Sequence, residues 1–146
     1  MQSVPLEARR PSKYRRTSYL IKRLEVATRE MLESALADRN VTLAQYTFLS
    51  MFSDVDGMSS ADAARRYDVS KQAANEIINA LEDKRLIARA EDAGNRRILR
   101  ITLTAAGRRL LAACDTAVDR SERVFLARLS PAQVAALREA IEILIA

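Results

Sequence analysis

Ser59 and Ser70 each carry the signature of a helix start, and the stretch between them is so short that the first helix must turn almost at once into the second. Ser59 has Asp62 three residues on, the spacing of a capping pair, and its helix runs to about Tyr67. Ser70 caps the run Lys71 to Leu81, in which Ala74, Ile77, Ile78 and Leu81 share the inward side and the other face is polar. Two short helices that cross around a tight turn need small or apolar residues where they touch. Ala63, Tyr67, Val69, Ala74 and Ile77 supply them, with Ala64 at the close contact. Asp68 stands in the turn where glycine is usual, and aspartate tolerates the left-handed conformation better than most residues. Taken alone, this stretch fits a helix-turn-helix or an ordinary helical hairpin.

The flanking segments extend the pattern. Leu86 to Glu91 and Arg97 to Leu103 surround Asp92-Ala93-Gly94-Asn95, and Leu99, Ile101 and Leu103 alternate with Ile98, Arg100 and Thr102 as in a half-buried strand. A β-hairpin with a glycine at its tip is expected there. Upstream, Thr42-Leu43-Ala44-Gln45 fits a capping box, which opens a helix that buries Tyr46, Leu49, Met51 and Phe52 and breaks at Asp54 to Gly57. The order helix, helix, helix-turn-helix, hairpin is that of a winged helix.

Long helices bracket this module. Leu20, Leu24, Ala27, Met31 and Ala35 form one stripe on a first helix that ends near Asp38 to Asn40. A fifth helix runs from residue 105 to about Arg128. Ser130-Pro131-Ala132-Gln133 then supplies a cap, a proline at the first helical position and a closing glutamine for a last helix, striped by Val134, Leu137, Ile141 and Leu144. The expected fold is mainly α with a small β-hairpin wing. Residues 41–104 form the winged helix-turn-helix, and 17–40 with 105–146 form dimerisation helices, because their stripes exceed what one small module can cover. An obligate homodimer follows. Residues 1–16 are basic and proline-containing, and read as an arm: a solvated tail, or a contact to DNA or a partner.

Composition removes whole classes of function. The chain has no histidine and one cysteine, Cys114, so the commonest general base is missing and no metal or nucleophile spacing forms. An enzyme, a metal and a cofactor are therefore not expected. One cysteine cannot make an internal disulfide, and no signal peptide or membrane span is visible, which makes the cytoplasm the default compartment. Cys114 lies among Leu110, Leu111, Ala117 and Val118 and reads as a small apolar residue. A redox sensor would need thiolate-stabilising neighbours and exposure. The net charge of +5 comes mostly from residues 1–39, with nine Lys or Arg against five acids, whereas residues 40–104 carry nine of each. Any case for DNA must rest on how charges sort onto faces.

Thr42 to Phe52, Arg65 to Leu86, Asn95-Arg96-Arg97 leading to Leu103-Thr104, and Gly107 together resemble the MarR (multiple antibiotic resistance regulator) family of transcription regulators. The resemblance covers residues 17–146. It implies a homodimer that sets two winged modules over adjacent major grooves of a pseudo-palindromic operator in double-stranded DNA, and repression relieved by a small aromatic carboxylate or thioester. On the exposed side of the recognition helix it matches Ser70, Lys71, Gln72, Asn75 and Asn79. Gln and Asn pair bidentately with adenine, and Lys71 suits guanine or phosphate. Glu76 departs from the pattern, since family members often have Arg there; it accepts from a cytosine amine or repels phosphate.

In the wing, Asn95 replaces the acid that usually braces an arginine. Arg96 suits insertion into a narrow A·T minor groove, and Arg97 would hold the wing or a phosphate. The family's ligand pocket lies between the dimerisation helices and the winged domain. The residues that would line it here are Arg16, Tyr19 and Arg23 on the first helix, with Tyr46 and Phe52 on the second; their other reading is surface charge and core aromatics. Two rivals stay open. One is a sequence-tolerant architectural DNA binder, which would bind operator and random duplex alike; the other is a helical adaptor whose module binds protein and shows no salt-sensitive DNA binding.

Overall fold

The computed structural model describes residues 16–146, so the expected basic arm lies outside the described residues except for Arg16. The chain forms α1 (Thr17–Leu36), a 3₁₀ turn (Ala37–Arg39), α2 (Leu43–Asp54), β1 (Met58–Ser59), α3 (Ser60–Tyr67), α4 (Lys71–Asp83), β2 (Ile87–Glu91), β3 (Leu99–Leu103), α5 (Ala105–Leu126) and α6 (Pro131–Ile145). Helix starts fall where the caps placed them, because each cap satisfies backbone amides that the first turn leaves orphaned. Thr42 and Ser130 make full capping boxes with Gln45 and Gln133. Ser59, Ser70 and Thr104 accept from the amides of Asp62, Ala73 and Gly107.

Helix ends differ slightly from expectation. α1 gives way at Leu36 to the 3₁₀ turn, which closes on Asn40 in the left-handed region at φ 55°. Asp68 fills the turn between α3 and α4 at φ 56° and donates its amide back to Ala64 and Arg65, so aspartate serves where glycine is usual. α4 runs two residues past Leu81, and the chain reverses at Arg85, φ 57°.

The sheet has a third strand that alternation could not reveal, because β1 is two residues long. Its order is β1-β3-β2, all antiparallel, with Met58 opposite Ile101 and Ile87 opposite Leu103. The expected second strand starts late, at Leu99, because Arg97 and Ile98 belong to the turn: the Ile98 amide donates to the Asn95 carbonyl at 2.9 Å. Ile101 and Leu103 are buried, but Leu99 is exposed near the tip, where the hairpin has left the core.

One hydrophobic core joins α2, α3, α4, the sheet and the first half of α5. Phe48, Leu49, Phe52, Ile78, Leu81, Ile101 and Cys114, with Leu36 from the end of α1, are its largest sealed side chains. Phe48, absent from the expected buried set of α2, is central: its ring meets Tyr67 edge-on at 5.3 Å and Phe52 at 5.9 Å. Gly107 explains its own presence. A Cβ there would lie 2.0 Å from the Leu86 carbonyl oxygen, so only glycine lets α5 press this closely on the strand entry. Thr104 locks the same junction, its amide donating to Leu86 at 3.0 Å and its hydroxyl to the Arg85 carbonyl at 2.8 Å.

Outside that core the stripes stay open. Leu20 is 53% exposed, Leu144 73% and Ile143 70%, and α6 buries no residue within the chain. Between α1 and α6 lies a cleft of about 880 Å³ lined by Ile21, Leu24, Leu32, Leu137, Ile141 and Leu144.

Candidate nucleic-acid interface

α4 divides cleanly. Ala74, Ile78 and Leu81 are buried, whereas Ser70, Lys71, Gln72, Asn75, Glu76 and Asn79 are exposed. The spacing of three and four residues between 72, 75 and 79 puts those amides on one helix face. The Ser70 hydroxyl oxygen is used as the cap, accepting from the Ala73 amide at 3.1 Å, which leaves its O–H to donate. Lys71 sits on the first turn, whose free amides add positive potential. Glu76 accepts from Gln72 Nε2 at 3.4 Å, so its charge is partly turned onto its own helix.

The hairpin tip is built on Asp92. One carboxylate oxygen accepts the amides of Gly94 and Asn95, both at 3.1 Å, and the other accepts from Arg100 Nε at 3.0 Å. Arg100 also donates to the Gly57 carbonyl at 3.3 Å, so this pair ties the wing to the loop after α2. The guanidinium bond is the main reason that the Asp92 carboxyl sits below the usual carboxylate range. Asn95 stands where the resembled pattern has a bracing acid, and the brace in the structure is Asp92, acting on Arg100. Asn95 instead accepts the Arg97 amide at 3.1 Å and shapes the turn.

Arg96 projects from the tip, 90% exposed, with Glu91 at 3.8 Å as a loose companion. Arg97 is exposed beside it. Arg89 and Arg100, to which the sequence pattern assigns no role, lie half-buried within the module. The parity of β2 was the available signal, because Arg89 is two residues from the buried Ile87 and so shares its face.

The other expected contacts spread out. Arg16, Tyr19 and Arg23 are exposed along α1. Phe52 is sealed in the core against Phe48, so it packs as a core aromatic. Tyr46 is half-buried and donates its hydroxyl to Asp115 Oδ1 of α5 at 2.7 Å; burial, and then that bond, raise its pKa. None of the five lines the cleft between α1 and α6. Burial likewise pushes the Cys114 thiol up, the opposite of what a reactive thiolate requires. Among the described residues no cluster of acids, cysteine or histidine is placed to hold a metal.

A family profile described as MarR family matches residues 39–98. The HTH-type transcriptional repressor Rv2887 of Mycobacterium tuberculosis is 36% identical over 115 residues, spanning 79% of this chain and 83% of the relative. The chain belongs to the MarR family. It is thereby placed among transcription regulators rather than enzymes. Two solved structures of Rv2887 carry the likeness into three dimensions. One, in complex with salicylic acid, has 32% identity, covers 95% of this chain and 99% of that chain, and gives a TM-score of 0.73. The other, in complex with DNA, has 31% identity, 88% and 97% coverage and a TM-score of 0.77. Within the MarR frame, α3 and α4 are the helix-turn-helix and the β2–β3 hairpin is the wing.

Proposed function

We propose that the chain is a homodimeric, sequence-specific repressor that reads a pseudo-palindromic operator and is released by a small aromatic acid or related thioester. The observation that carries the DNA reading is α4 itself: four amide and amine side chains, Lys71, Gln72, Asn75 and Asn79, stay exposed along a helix whose other face is sealed in the core. Ser70 and Lys71 hold the approach to phosphate or guanine, Arg96 enters the minor groove, and Arg97 steadies the wing against a phosphate. Two-fold symmetry then sets the half-sites about one helical turn apart. No helix among the described residues is long and apolar enough to cross a membrane, in keeping with a regulator that works in the cytoplasm.

The ligand reading draws on the relative bound to salicylic acid. Arg23 is the proposed anchor for the carboxylate, exposed on α1 outside the cleft. Arg29, at the rim of the cleft, is already held by Glu25 at 2.6 and 2.8 Å. The test is a titration of a selected operator and a random duplex, at several salt concentrations, with and without salicylate and aromatic thioesters. The reading expects a strong preference for operator, a steep salt dependence, and weaker binding with effector that Arg23→Ala blunts. Equal affinity for both duplexes favours the architectural binder, and no salt-sensitive binding favours the protein adaptor.

A further inference from the structure

Asn79 does not offer both halves of its amide to the groove. Arg89, reaching across from β2, donates Nη2 to Asn79, and because a guanidinium has only N–H donors the atom it meets must be the carbonyl oxygen. The same Nη2 lies 2.8 Å from Glu82 Oε2. Asn79 and Glu82 are three apart on α4, so one helix turn grips the guanidinium. Arg89 is itself anchored: β2 pairs it with Ile101 of β3, and its side chain is only 19% exposed. Among the described residues no such bond occupies Asn75, one turn earlier.

Adenine offers an acceptor and a donor in the major groove, N7 and the N6 amine, and the bidentate pair with asparagine uses both halves of the amide. Guanine offers two acceptors, N7 and O6, and thymine offers O4. The oxygen keeps a second lone pair, but the bond from Arg89 holds it toward β2, so it cannot turn with a base edge without breaking that contact.

We infer that Arg89 determines base specificity: by taking the Asn79 carbonyl oxygen it leaves that residue to present its N–H groups, so Asn79 selects guanine, with its two acceptors, over adenine. Asn75, with both halves available, keeps the adenine pairing. This rests on the proposed DNA reading, and it departs from the expectation that every asparagine on the helix favours adenine.

The experiment is competitive titration of the selected operator and all its single-base variants by the full-length parent, Asn75→Ala, Asn79→Ala and Arg89→Leu, each checked for folding by thermal melting. Asn79→Ala locates the base read by Asn79, where the parent should favour guanine over adenine by about tenfold. Arg89→Leu should move that preference toward adenine by a similar factor and leave the Asn75-dependent base unchanged. Adenine preferred by the parent at the Asn79 base overturns the assignment. A loss from Asn79→Ala that is equal for every sequence, or an Arg89→Leu variant with the parent's preferences, does the same. Should Arg89→Leu fail to fold, the parent and Asn79→Ala decide the matter alone. A parent with no operator preference sinks the DNA reading itself, a result distinct from each of these.

Discussion

The winged module and the helices that flank it obey different rules. In the module every element has a partner inside the chain: α2, α3, α4 and the sheet close around Phe48, Ile78 and Ile101, all fully buried. In the flanking part the stripes are equally apolar, yet Leu20, Leu24, Ile141 and Leu144 remain exposed. The contrast teaches that this chain closes one half of its fold by itself and leaves apolar stripes open in the other, which the proposed dimer would cover. Apolar surface of that extent carries a solvation cost of about 25 cal/mol per Å² that only association removes.

The hardest blow to that comparison is a charge in the unfinished half. Ile141→Glu with Leu144→Glu should reduce the sedimenting species from twice 16.3 kDa to 16.3 kDa. Operator affinity should then fall by about a hundredfold or more, because a monomer forfeits the second half-site. The module's core should survive, seen as retained near-ultraviolet signal from the Phe48–Tyr67 cluster.

A smaller loss awaits in the finished half. Gly107→Ala forces a methyl to within 2.0 Å of the Leu86 carbonyl oxygen. It should cost about 3 kcal/mol of stability, measurable by denaturant unfolding, with the oligomeric state unchanged.

Surface readout residues come next. Asn75→Ala should cost about 1 to 3 kcal/mol on operator at a single base position, and Arg96→Ala should weaken binding and flatten the preference for A·T flanks. Neither change should move the melting temperature, since both side chains are exposed.

The smallest effect is one of pH. Asp92 has a depressed carboxyl, chiefly through Arg100, so its brace contributes fully above the ordinary carboxylate range and is lost only as pH falls through the lowered folded value. Parent binding should thus hold level through mildly acidic pH at constant salt, whereas Asp92→Asn should bind more weakly at every pH in that window.

Much of the module was legible because its signals are local. A cap and its third residue lie within one turn, and Thr42, Ser59, Ser70 and Ser130 all open helices where expected. The positive φ at Asp68 was likewise readable from residue type and place. Signals that depend on distant partners were not. β1 is too short for a period and exists because Met58 meets Ile101. Asp92 was read as part of a turn, yet its use depends on Arg100, and Asn79 looked like a free amide until Arg89 was placed beside it. Tyr46 is similar: its hydroxyl belongs to Asp115, sixty-nine residues along the chain.

One finished module per chain should read DNA only when the unfinished helices have paired. The most direct measurement is the mass of the complex formed by the parent on a single selected operator duplex, by sedimentation at increasing protein concentration. Two chains should join each duplex together, with no intermediate of one chain. A complex of one chain with undiminished operator preference, beside a folded free monomer, would contradict it.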